Sequence, residues 1–131
     1  MKYLLDTHSL IWALSGRDNI KKIRDIIEDK SNESYVSVAS LWEIQIKNSS
    51  RPDTMPFTAN SIFELISNFT DYNLLPITHE YVLALKDIVK QNIHRDPFDH
   101  MILSTALVDN LILLTHDDKM SKYSGVRTLL F

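Results

Sequence analysis

The stretch Leu111-Ile112-Leu113-Leu114-Thr115-His116-Asp117 decides the fold. Four consecutive apolar residues suit a short buried strand, and the threonine and acid behind them mark its mouth. The N-terminal segment Lys2-Tyr3-Leu4-Leu5-Asp6-Thr7 has the same build, an apolar run stopped by an acid. Further short apolar runs stand at Tyr35–Val38, Leu74–Ile77 and Val126–Leu130. Helical spacing fills the intervals. Ile20, Ile23, Ile26 and Ile27 recur on one helical face, as do Ile62, Leu65, Ile66 and Phe69. Helices are also predicted from about Ala39 to Asn48, from the N-cap Thr78 through about Val89, and over Pro97–Val108. Asn48–Pro56, rich in Ser, Asn, Asp and Pro, reads as a loop. Short strands alternating with amphipathic helices predict an α/β domain with a mostly parallel central sheet. In such sheets ligands gather at the carboxyl ends of the strands, so the acids placed just after the apolar runs become the candidate site.

The bulk composition narrows the options. The chain has 131 residues, the size of one domain with a real core. Cysteine is absent, which excludes a disulfide framework and a thiolate zinc site and fits a reducing cytosol. The apolar N-terminus is interrupted by Asp6 and His8 and lacks a cleavage pattern, so it does not read as a signal peptide. No segment approaches the roughly 18 apolar residues of a membrane helix. A soluble, cytoplasmic protein is expected. Glycine occurs only at Gly16 and Gly125, which excludes a glycine-rich phosphate loop. The formal net charge of −3 argues against a nucleic-acid binder. Setting aside Asp6, Glu43, Asp96, Asp99, Asp117 and Asp118 as a metal-holding group, however, leaves the remaining surface mildly basic.

Each acid carries two readings. Asp6 ends the first strand and points toward the crevice, with Thr7 beside it to orient it; alternatively it caps a helix starting near Leu10. Glu43 shares a helical face with Ala39, Trp42 and Ile46, where a carboxylate is costly to bury unless a cation meets it. Its alternative is an exposed edge position paired with Lys47. Asp96 with Pro97 reads as N-cap and first helical residue, which places Asp99 in the first turn, where a carboxylate complements the helix N-terminus. Of the adjacent pair, Asp117 is expected to face the site and Asp118 the solvent. His8, His79, His94, His100 and His116 are scattered and form no spaced ligand pair. Oxygen ligands without histidine or cysteine suit a hard cation, Mg²⁺ or Mn²⁺.

Four segments occur in a fixed order: Leu4-Leu5-Asp6-Thr7-His8, Val38-Ala39-Ser40-Leu41-Trp42-Glu43-Ile44, His94-Arg95-Asp96-Pro97-Phe98-Asp99 and Leu113-Leu114-Thr115-His116-Asp117. Together they resemble the motif series of PIN-domain proteins, in the branch close to the VapC toxins, over nearly the whole chain. The resemblance implies a single α/β/α domain over residues 1–131, a homodimer, and Mg²⁺- or Mn²⁺-dependent endoribonuclease cleavage of RNA by a metal-activated water. It places Asp6, Glu43, Asp99 and Asp117 in the family's acidic quartet, Asp96 as an additional acid, and Thr7 and Thr115 as hydroxyl residues beside the acids. It also implies a VapB-like antitoxin that lies along the groove and can set an arginine near the acids. Asn48-Ser49-Ser50-Arg51-Pro52 stands where many relatives have a Gly-Lys-Leu-like stretch, and His100 stands where a basic residue often follows the third acid.

Lys47, Arg51 and Arg95 are candidate phosphate-positioning residues. The helices at Ile20–Ile27 and Ile62–Phe69 are candidate dimer faces. A receiver-like Mg²⁺-binding domain would also have acids at strand ends, but it would have no role for Glu43 or for the His94–Asp99 stretch. A small-molecule phosphohydrolase would more naturally show Asp-x-Asp where Asp6-Thr7-His8 stands.

Overall fold

A computed structural model describes all of residues 1–131. Its sheet has five strands: β1 (Lys2–Leu5), β2 (Glu33–Ser37), β3 (Asn73–Leu75), β4 (Ile112–Thr115) and β5 (Thr128–Leu130). The helices are α1 (Thr7–Ser15), α2 (Lys21–Glu28), α3 (Val38–Ser50), α4 (Ala59–Phe69), α5 (His79–Val89) and α6 (Pro97–Asp109). Every strand pairing is parallel, in the order β3-β2-β1-β4-β5.

Alternation along the strands builds two cores. Tyr3, Leu5, Val36 and Leu114 face Leu10, Ile23, Leu41, Ile44, Ile62 and Ile66 of α1–α4. Leu4 and Leu113 face the other way, against Ile88, Ile102, Leu103 and Ala106 of α5 and α6. The result is the expected three-layer α/β/α domain. From β1 the chain winds outward to β2 and β3, then returns to the opposite side of β1 to form β4 and β5. The switch in direction opens a crevice between the carboxyl ends of β1 and β4, where Asp6 and Asp117 stand.

Several boundaries differ from the sequence reading, each for a local reason. Val38 opens α3 rather than extending β2, because the Ser37 hydroxyl caps that helix by accepting from Ala39 N–H at 3.0 Å. The helix then runs through Ser50, taking in the first three residues of the expected loop. Pro76 has no N–H for a ladder and follows β3 directly, so that strand ends at Leu75. On the candidate dimer faces, Ile20, Ile23, Ile62 and Ile66 are core residues, whereas Phe63 and Phe69 of α4 are exposed.

Candidate active site

The acids converge because strand ends and helix starts deliver them to one place. Asp6, Glu43, Asp96, Asp99 and Asp117 line a single cavity of about 220 Å³, together with Thr7, His8, Lys47, His94 and Lys119. None of the lining residues is apolar. A larger hollow of about 560 Å³ lies at the opposite, amino ends of β2 and β3, where Glu33 and Asn73 stand. It lacks the acids of the strand mouths, and size does not decide between the two: chemistry and the polarity of the sheet do.

Asp6 is buried, caps a helix and lines the cavity. Its Oδ1 accepts from Ser9 N–H at 2.9 Å, capping α1 from Thr7 rather than from Leu10. Its Oδ2 accepts from the Thr115 hydroxyl at 2.6 Å. Thr7 was expected to orient Asp6; instead its hydroxyl donates to Glu43 Oε1 at 2.8 Å and lies 3.0 Å from Ser40 Oγ. Because a helix starts immediately at Thr7, its side chain is carried across to α3 while Asp6 stays with β4.

Glu43 is only 3% exposed, but of its three expected companions only Ala39 is buried. Trp42 and Ile46 face solvent, and beside Ala39 and Glu43 the helix α3 buries Ser40, Leu41 and Ile44. The predicted apolar stripe was therefore rotated by about one residue. The Lys47 pair does form, with Nζ 2.6 Å from Glu43 Oε2, but on a buried carboxylate rather than an exposed edge. The ammonium supplies the cation that a carboxylate at this depth requires. Trp42 packs edge-on against Phe98, with ring centroids 4.9 Å apart, tying α3 to the start of α6.

At that start, Asp96 Oδ1 accepts from the N–H groups of Phe98 (2.9 Å) and Asp99 (3.1 Å), with Pro97 opening the helix. Asp99 Oδ2 is 2.9 Å from His94 Nε2. Burial pushes the Asp99 carboxyl up to about 6; His94 works in the opposite direction, and the charges of Asp96 and Glu43 reinforce the rise. Asp117 is half-buried, and its Oδ1 accepts from Lys119 N–H at 3.0 Å, while Asp118 is exposed as expected. Arg51 and Arg95 are exposed and do not line the cavity; of the three candidate phosphate contacts only Lys47 does.

His8, His94 and Lys119 are the lining residues that the sequence reading left out. His94 stands two residues before the capping Asp96, a position from which the chain turns back over the helix N-terminus. That placement was a usable signal; its contact with Tyr123 was not.

The donor set fits a hard divalent cation. All five acids offer oxygen, Glu43 already takes a cation from Lys47, and no cysteine competes. As the side chains stand, no three of them close on a common ion position. Lys47 holds Glu43 and His94 holds Asp99 toward protein partners.

Comparison with known proteins adds to this geometry. A family model described as PIN domain matches residues 3–126. No curated protein matches the chain. Among solved structures, the chain is similar to VapBC2 from Rickettsia felis bound to a DNA fragment from their promoter, with 16% identity, TM-score 0.75 and coverage of 99% of this chain and 98% of that one. It is similar to VapBC-1 from nontypeable Haemophilus influenzae, with 20% identity, TM-score 0.72 and the same two coverages of 99% and 98%. It is also similar to VapBC-5 from Mycobacterium tuberculosis, a member of the VapBC family of toxin-antitoxin systems, with 16% identity, TM-score 0.62 and coverage of 99% and 98%. At these identities the likeness establishes the fold.

Proposed function

This chain belongs to the PIN-domain family, and from that premise we propose that it is a Mg²⁺- or Mn²⁺-dependent endoribonuclease, the toxin of a toxin–antitoxin pair. One observation carries the proposal: five acids from four separate segments meet at the carboxyl ends of β1 and β4 in a cavity with no apolar lining. Such a cluster repels a phosphodiester unless a cation is present.

Asp6, Glu43, Asp99 and Asp117 would hold the ion, with Asp96 as an additional acid. A divalent cation bound there would offset charge on the phosphate and make a water easier to deprotonate, and so supply the nucleophile. The protein's own contribution is orientation. Thr115 fixes Asp6, Thr7 fixes Glu43, and the two N–H groups of Phe98 and Asp99 fix Asp96. Lys47, which lines the cavity beside Glu43, would be a cation for positioning a phosphate oxygen. Contacts of this kind position RNA without reading its sequence.

The partner is proposed to be a VapB-like antitoxin, supported by similarity to VapBC structures. An antitoxin arginine entering the cavity would complement its net negative charge. A homodimer through α4 is supported by the exposed Phe63 and Phe69. No helix is long and apolar enough to cross a membrane, and a cytoplasmic location accords with an RNA target.

Purified protein incubated with total cellular RNA tests the proposal. Discrete cuts with Mg²⁺ that vanish with chelator support it. Intact RNA alongside phosphorylation by a small phosphodonor would favour a receiver-like domain instead.

A further inference from the structure

The loop before α6 holds a hydrogen-bonded chain that ends on Asp99. Tyr123, buried on the far side of His94, places its hydroxyl oxygen 2.8 Å from His94 Nδ1 and 3.3 Å from His94 N. The backbone N–H can only donate, so it gives its proton to the tyrosine oxygen. The carbonyl of His94, which accepts from His100 Nε2 at 2.7 Å, lies farther from the tyrosine oxygen, at 3.4 Å against 2.8 Å for Nδ1. The best acceptor for the tyrosine proton is therefore Nδ1. With Nδ1 accepting, the neutral imidazole carries its proton on Nε2, which points at Asp99 Oδ2 over 2.9 Å.

His94 is well enclosed: its side chain is 12% exposed, and its ring packs edge-on against His100 at 5.3 Å and Tyr123 at 5.6 Å. These contacts fix the ring plane, and the ring in turn fixes one Asp99 oxygen. Asp99 Oδ1 accepts no hydrogen bond from the protein. Among the acids, Asp6 and Asp96 are held partly by backbone N–H groups, whereas Asp99 depends on the His94 side chain alone.

We propose that His94 is the positioning residue for Asp99: Tyr123 sets its tautomer, its Nε2–H anchors Asp99 Oδ2, and Oδ1 is left to face the cation. This rests on the metal-dependent reading above. A hydrogen bond to a ligating carboxylate typically tunes metal affinity about 10- to 100-fold.

The test measures Mn²⁺ binding to the purified protein by titration calorimetry, with melting temperature in chelator and nitrogen-15 shifts of the His94 ring as independent readouts. His94→Ala is expected to weaken Mn²⁺ binding about 10- to 100-fold. His94→Gln, whose amide nitrogen can occupy the Nε2 position, is expected to recover most of that loss. In the metal-free wild type the ring shifts should report a proton on Nε2; in Tyr123→Phe they should report a mixture of tautomers, with a smaller loss of affinity. Wild-type affinity in a folded His94→Ala protein overturns the positioning role and leaves the metal reading standing. A Gln variant as weak as the Ala variant also overturns it, because the ring would then be acting as a ligand. Failure of the folded wild-type protein to bind Mn²⁺ overturns the metal reading itself, and the positioning role with it.

Discussion

The Thr115 hydroxyl donates to Asp6 Oδ2 at 2.6 Å and accepts from Asp117 N–H at 3.1 Å. One side chain at the end of β4 thus connects acids delivered by two neighbouring strands. Thr115→Val keeps the shape but leaves the buried Asp6 oxygen without its donor. A loss of about 1–3 kcal/mol of stability is expected, along with a large fall in cleavage. Thr115→Ser should retain both. Denaturant melts of the two variants beside RNA cleavage rates check this; a Val variant as stable and active as wild type would remove Thr115 from the site.

Lys47 neutralises Glu43 in the metal-free protein. Lys47→Met should destabilise that form by roughly 1–2 kcal/mol. This is less than the ~3–5 kcal/mol for breaking a fully buried pair, because the lysine side chain is 45% exposed and water screens it. Mg²⁺ should raise the melting temperature of the variant more than that of the wild type, since the ion replaces the missing ammonium charge. Equal increments would contradict a shared role for lysine and ion.

Asp99 makes the metal-free protein sensitive to pH. Its carboxyl is raised from 3.8 to about 6, so the folded state holds the proton more tightly than the unfolded chain does. The stability associated with this group is fully present below the unfolded value and is lost as pH rises through the folded one. In chelator the melting temperature should therefore fall between about pH 4 and pH 7 through this group. Asp99→Asn should flatten the fall and be the more stable protein at neutral pH. Excess Mg²⁺ should oppose it, since ligation needs the ionised form. A variant with an unchanged pH slope would show that Asp99 is not the responsible group.

Asp96→Asn separates capping from charge. Asparagine caps as well as aspartate, so stability should change by only a few tenths of a kcal/mol. Mn²⁺ affinity should fall, but by less than in Asp99→Asn, because Asp96 Oδ1 is already committed to two backbone N–H groups. Unchanged affinity would reduce Asp96 to a helix cap.

Features with local causes were legible in the sequence. Apolar runs ending in acids located β1, β4, Asp6 and Asp117, and Asp96-Pro97 announced the start of α6. Thr78 capped α5 as read, accepting from Tyr81 N–H at 3.3 Å. Glu43 does line the acidic cavity, yet Trp42 and Ile46 were assigned to its face when they stand in solvent. Periodicity alone allowed a stripe one residue out of phase, and only packing of Ala39 and Ile44 against the core settles its phase. Thr7 and Ser40 could not be matched to Glu43 without the crossing of α1 and α3. His94 was missed because its meaning depends on Tyr123, which is 29 residues away and carries no pattern linking the two.

The most direct measurement is cleavage of total RNA by wild type and by Asp99→Asn, purified free of any partner, at saturating Mn²⁺ and in chelator. Discrete cuts by wild type with Mn²⁺, absent in chelator and in the folded variant, are expected. Cuts that survive Asp99→Asn at the wild-type rate, or intact RNA with folded, Mn²⁺-loaded wild type, would contradict the assignment of this acid cluster as a ribonuclease centre.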